Sequence, residues 1–162
     1  MIKSETGKSL GELLEHGGIY YALPGNSVHE VLEAFIKTIP VQSVIPLQDL
    51  LTAVLEREAL MSTSIGRGIA IPHPRNPFIN GQEEQFAALG FLDHKIDWNA
   101  LDGNPVDTLI LTVSATAQLH LKILSSITFF SRQDKFIRLL RERASPEEII
   151  RYIKDTEKEW RQ

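Results

Sequence analysis

The chain has 162 residues, with 43% hydrophobic and 23% charged side chains, enough apolar material for one well-packed domain and too much for a disordered chain. A net charge of -4 argues against nucleic acid as the main partner, and the lack of any cysteine excludes disulfides, thiolate metal sites and thiol nucleophiles. No apolar run reaches the ~18 residues of a membrane helix, and the first residues lack the apolar core of a signal peptide, so a cytoplasmic protein is expected.

In chain order, Ser9 followed by Leu10, Leu13 and Leu14 predicts a short helix that stops at Gly17-Gly18. Ile19 to Leu23 reads as a strand, and Pro24-Gly25-Asn26 as a turn. Ser27 and Glu30 have capping-box spacing and open a helix that buries Val28, Val31, Leu32, Phe35 and Ile36. A second helix is expected from about Pro46 to Leu60, with Leu47, Leu50, Leu51, Val54 and Leu55 at helical spacing.

The middle of the chain changes character. Ile69-Ala70-Ile71, Phe86 to Leu92 and Val106 to Ser114 are short apolar runs separated by Gly, Pro, Asn and Asp, and they predict strands. The last is almost continuously apolar, as a strand buried on both faces would be. Asn76 to Glu84 is the expected exposed loop. Helical spacing returns from about Gln118 through Leu119, Ile123, Leu124 and Ile127, and again in Phe136, Ile137, Leu139 and Leu140. Ser145-Pro146-Glu147-Glu148 is a capping box with proline at the first helical position, ahead of Ile149, Ile150 and Ile153. Helices that flank a central group of strands predict a single three-layer α/β/α domain with a mixed sheet, spanning 1–162 with its core at about 9–155.

The chemistry concentrates between Glu56 and Arg75. A helix end carrying Arg57 feeds a loop with Ser62, Thr63, Gly66 and Gly68, and a short apolar strand then delivers His73 between Pro72 and Pro74. The prolines stiffen the chain around the imidazole, and a rigidly aimed imidazole suits nucleophilic chemistry. Alone, such a histidine is ordinarily a turn residue. The two glycines are no dinucleotide fingerprint, and no Gly-Lys-Ser/Thr phosphate loop occurs.

Taken together, the segment resembles the phosphorylation signature of the fructose/mannitol-type enzyme IIA domains of the bacterial phosphotransferase system, which include nitrogen-related regulatory proteins. Arg57-Glu58, Ser62-Thr63, Ile65-Gly66 and Gly68-Ile69-Ala70-Ile71-Pro72-His73 match in register, while Met61 and Ser64 replace glycines. Ile96 to Val106 resembles the stretch leading into the family's central strand, and His120 matches its second histidine. The resemblance implies that Nε2 of His73 accepts a phosphoryl group from the phosphocarrier HPr or a relative. It also implies that His120 orients His73 or contacts the phosphoryl group, while the chemistry of phosphoryl transfer leads us to expect backbone N–H groups of the Ser62 to Gly68 loop, the hydroxyls of Ser62 and Thr63, and Arg57 to steady the phosphoryl oxygens. It implies no metal and no organic cofactor.

His16, His29 and His94 match no functional position and read as surface or packing residues. Two roles fit the family: a regulatory protein acting on a target protein, favoured by the lack of a fused IIB segment, or a transport subunit serving an enzyme IIB. A binding module of this fold that carries no phosphate, as in the cytoplasmic domain of anion exchangers, is disfavoured by the joint presence of Arg57, His73 and His120. A hydrolase using His73 as general base lacks a partnered nucleophile.

Overall fold

A computed structural model describes residues 8–40 and 45–160. Its elements are α1 (Leu10–Gly17), β1 (Ile19–Leu23), α2 (Val28–Thr38), α3 (Leu47–Leu60), β2 (Ser64–Gly66), β3 (Ile69–Ala70), β4 (Phe86–Ile96), β5 (Val106–Val113), α4 (Ala117–Ser131), α5 (Asp134–Arg141) and α6 (Pro146–Trp160). The expected three-layer mixed architecture is borne out.

The local signals that predict the helices do the capping. Ser9 Oγ accepts from Glu12 N at 3.3 Å, Ser27 Oγ from Glu30 N at 3.1 Å and Ser145 Oγ from Glu148 N at 3.2 Å. Two further N–H groups at the start of α1, those of Leu10 and Gly11, are taken by the buried carboxylate of Glu157 from α6, at 3.1 and 3.0 Å. Those donors have no partner inside the helix, so a carboxylate from the far end of the sequence completes it.

The sheet runs β1-β4-β5-β3-β2. β4 pairs antiparallel with β5 and parallel with β1, while β3 pairs parallel with β5. β5 explains its own sequence: Leu109, Leu111 and Val113 face a core shared with α2 and α3, while Ile110 faces one shared with α1, α4, α5 and α6.

Three details differ from expectation. Ser64–Gly66, expected as loop, is an edge strand antiparallel to β3. Val28 is only half-buried, because it opens α2 at the rim of the core. Segment 76–84 is a loop that ends in a single 3-10 turn at Gln82–Glu84, yet Phe78 N donates to Ser114 O at 3.3 Å and Ile79 is buried, so it is pinned rather than wholly exposed.

Candidate functional site

His73 is placed by the way β3 ends. Ile69 and Ala70 pair with Thr108 and Leu109, Ile71 N donates to Thr63 O at 3.0 Å, and Pro72 O accepts from Thr112 N at 3.2 Å. Pro72 has no N–H, so the ladder cannot continue as a regular strand, and the chain leaves the sheet with His73 at its tip. The residue is 8% exposed.

Its Nδ1 lies 2.7 Å from Ile71 O. A carbonyl oxygen only accepts, so Nδ1 carries the hydrogen and Nε2 keeps its lone pair. Burial holds the His73 pKa below the ordinary histidine value; the Ile71 bond opposes this, the Arg57 charge adds to it and Glu58 offsets Arg57. The ring is therefore neutral at pH 7 with one nitrogen free.

His120 comes from the first turn of α4, where Thr116 Oγ1 accepts from Leu119 N at 3.1 Å and Thr116 O accepts from His120 N at 3.1 Å. Its ring lies against that of His73, with centroids 4.6 Å apart and planes at 45°. Burial, then His73, then Arg57 push its pKa down to about 4. The hydrogen bond that orients His73 is thus made by its own backbone neighbour, Ile71, and not by His120.

Arg57, in the last turn of α3, donates from Nη1 to Met61 O at 2.7 Å, closing a helix end where a cation is favoured. Ser62 Oγ donates to Trp98 O at 2.7 Å and accepts from Ser64 N at 3.2 Å. Thr63 Oγ1 donates to Glu58 at 2.6 Å. Both hydroxyl hydrogens are committed to holding the loop, which fits them to build the site rather than to donate to a phosphoryl group.

Gly66 and Gly68 are elsewhere. They flank the turn between β2 and β3 with φ of +91° and +79°, and Gly68 O accepts from Asp107 N and Thr108 N at the start of β5. Five residues of extended chain, about 16 Å, separate Gly68 from His73. The two glycines supply left-handed backbone at a hairpin turn that lies at the other end of β3 from His73.

Two contributors escaped the sequence reading. Glu58 accepts Thr63 N at 2.6 Å, Thr63 Oγ1 at 2.6 Å and Trp98 Nε1 at 2.9 Å. Its place beside Arg57 was the available signal; its partner forty residues on was not readable. Glu58→Gln puts an amide N–H against donors, and a loss of about 2 kcal/mol of stability is expected, measurable by urea unfolding. The second is Thr112, 1% exposed, whose Oγ1 has no hydrogen-bond partner among the described residues. Thr112 lines a cavity of about 40 Å³ together with Ser114 and His120, room for a water molecule.

The remaining histidines lie apart: His16 Nδ1 donates to Gln85 O at 2.9 Å, His29 sits 3.7 Å from Glu33, and His94 bonds Asp93. Among the described residues no three His, Asp or Glu side chains gather as metal ligands.

The depressed histidine pKa values carry a pH consequence. The unfolded chain binds these protons near pH 6.5, the folded one only at lower pH, so their contribution to stability is complete above 6.5 and is lost as pH falls toward 4. Thermal unfolding across that window should show the decline and His120→Asn should flatten it; an unchanged decline in the variant would count against the buried ring pair as its source.

Comparison with known proteins gives a consistent family. Residues 12–156 match the family model described as "Phosphoenolpyruvate-dependent sugar phosphotransferase system, EIIA 2". A nitrogen regulatory protein of Escherichia coli K12 is 31% identical over 97% of this chain and 96% of its own length. The crystal structure of nitrogen regulatory protein IIA-Ntr from Neisseria meningitidis superposes with a TM-score of 0.75 at 26% identity, covering 88% of this chain and 97% of that one. The complex of IIA mannitol with phosphorylated IIB mannitol from Escherichia coli matches with a TM-score of 0.65 at 16% identity, covering 85% and 94%.

Proposed function

On the premise that this chain belongs to the EIIA 2 family of the phosphoenolpyruvate-dependent sugar phosphotransferase system, we propose that it is a phosphocarrier in which Nε2 of His73 accepts a phosphoryl group from an HPr-like protein. The observation that carries the reading is the Nδ1 hydrogen held on Ile71 O, which leaves Nε2 as the free nucleophile. In the step, the Nε2 lone pair bonds to phosphorus as the bond from phosphorus to the donor's nitrogen breaks, and the Nδ1 hydrogen stays on its carbonyl. The Arg57 cation offsets the charge of the phosphoryl oxygens, and His120 packs the ring in place. Ser62, Thr63 and Glu58 hold the loop that supports Ile71.

The donor and the recipient are proteins. The cavity beside His120 is about 40 Å³, far below the ~300 Å³ at which small-molecule pockets begin. Exposed apolar side chains stand close in sequence to the site residues: Leu60 and Met61, at the end of α3 that carries Arg57, are 63% exposed, and Leu121, next to His120, is 64% exposed. Exposed apolar side chains around a reactive atom suit a docking partner.

Likeness to nitrogen regulatory proteins over nearly the whole chain favours a regulatory role, in which phosphorylated and free forms differ in their hold on a target protein. Transfer to an enzyme IIB is the second reading, favoured by the fold shared with IIA mannitol in its complex with phosphorylated IIB. We assign the protein to the cytoplasm, in keeping with described helices that are all too short or too polar to cross a membrane.

The test is incubation with phosphoenolpyruvate and the general phosphotransferase proteins, followed by intact mass. One acid-labile phosphoryl group per chain is expected; an unmodified chain would defeat the proposal. Adding a purified IIB then separates the roles, since a transport subunit loses the group to it and a regulatory protein retains it.

A further inference from the structure

Three clefts lie well away from His73, and their charges differ. One of about 420 Å³ sets Glu15, Glu147 and Asp155 against Arg151, Lys154 and Lys158. Another of about 540 Å³ sets Glu148, Asp155 and Glu159 against Lys135 and Arg151. The third, about 360 Å³, carries Arg67, Lys95 and Arg141 against a single carboxylate, Asp107. In a chain of net charge -4, this one of the three concentrates positive charge.

The cleft is built in two tiers. Its floor is made by Ile69 of β3, Thr108 of β5, and Ile137 and Leu140 of α5, all buried. Its rim is the three cations. Lys95 and Arg141 have no carboxylate within ion-pair distance among the described residues. Arg67 reaches Asp134 at 3.8 Å, but that carboxylate is 92% exposed, so the pair is weak and easily exchanged for a ligand. Asp107 Oδ1 accepts the Thr108 hydroxyl at 3.0 Å, which fixes the carboxylate at the cleft wall. Gly68 leaves that wall open, since a Cβ there would come within 3.1 Å of Asp107 Oδ1.

We infer that this cleft is a second ligand site, for a small organic dianion. Two guanidinium groups and an ammonium lining one cleft match a dianionic head, and Arg pairs such groups in a bidentate manner. The apolar floor takes a short carbon body, and Asp107 accepts from a hydroxyl on it. The volume is within the range of small-metabolite pockets. Phosphate monoesters and dicarboxylates share this chemistry. The site lies at the opposite end of β3 from His73 and does not depend on phosphorylation there.

The test is an amide NMR titration of the full chain with glycerol 3-phosphate and, separately, with succinate, against sodium chloride at matched ionic strength. Saturable shifts at Gly68, Ile69, Asn104 and Thr108 are expected from at least one probe. The probe that saturates identifies the head group, and saturation by both leaves the shared dianion as the determinant. Arg141→Gln should weaken binding roughly tenfold, and Lys95→Gln should weaken it as well. His73→Asn should leave binding unchanged, so failure of the phosphocarrier reading would not touch this one. Shifts that fail to saturate, that sodium chloride reproduces, that centre on His73, or that survive both Arg141→Gln and Lys95→Gln would each overturn the site.

Discussion

His73→Asn is expected to fold as the parent does and to take up no phosphoryl group, seen as the absence of the mass gain in intact-protein spectra. An asparagine amide can donate to Ile71 O from near the Nδ1 position, so the local bond survives, but it offers no nucleophile where Nε2 stood. The choice of acceptor is a real contest, because His120 packs against the same ring and is equally neutral at pH 7. Neutrality alone does not pick between them. What does is the hydrogen: His73 has its tautomer dictated by a carbonyl, while no described contact does this for His120. Uptake of phosphate by His73→Asn would move the acceptor to His120 and end the assignment.

Gly17→Ala should be the most damaging small substitution away from the site. A Cβ there would stand 2.0 Å from Ala87 O and 2.7 Å from Ala87 C, backbone atoms of β4 that cannot turn aside. To make room, α1 must lift from the sheet, taking Leu10, Leu13 and Leu14 out of their shared core. A loss of about 3 kcal/mol is expected, or roughly 10 °C in Tm for a domain of this size. A thermal melt within about 2 °C of the parent would show that the helix has slack at this point.

Much of the fold was readable because its signals are local. Ser27 with Glu30 and Ser145 with Glu148 announce helix starts within four residues, and each makes the bond it announces. The unbroken apolar run of β5 reflects burial on both faces. The edge strand Ser64–Gly66 was not readable: it is three residues long, half-exposed, and defined by its partner β3. The site divides in the same way. Arg57, His73 and His120 carry their chemistry in their own side chains, and the two rings do meet. Gly66 and Gly68 are near His73 in the motif, but the hairpin sends its turn to the other end of the strand, a separation that spacing does not carry. Glu58 and Thr112 matter through what surrounds them, Trp98 in one case and a small cavity shared with Ser114 and His120 in the other.

The carboxylate that completes α1 has a bearing on how the molecule is made. Glu157 stands 147 residues after Leu10, whose N–H it accepts. During synthesis on a ribosome the first helix emerges early, yet two donors of its opening turn stay in water until nearly all the chain has followed. The N-terminal helix therefore finishes among the last parts, and the native arrangement reports that the final helix has arrived.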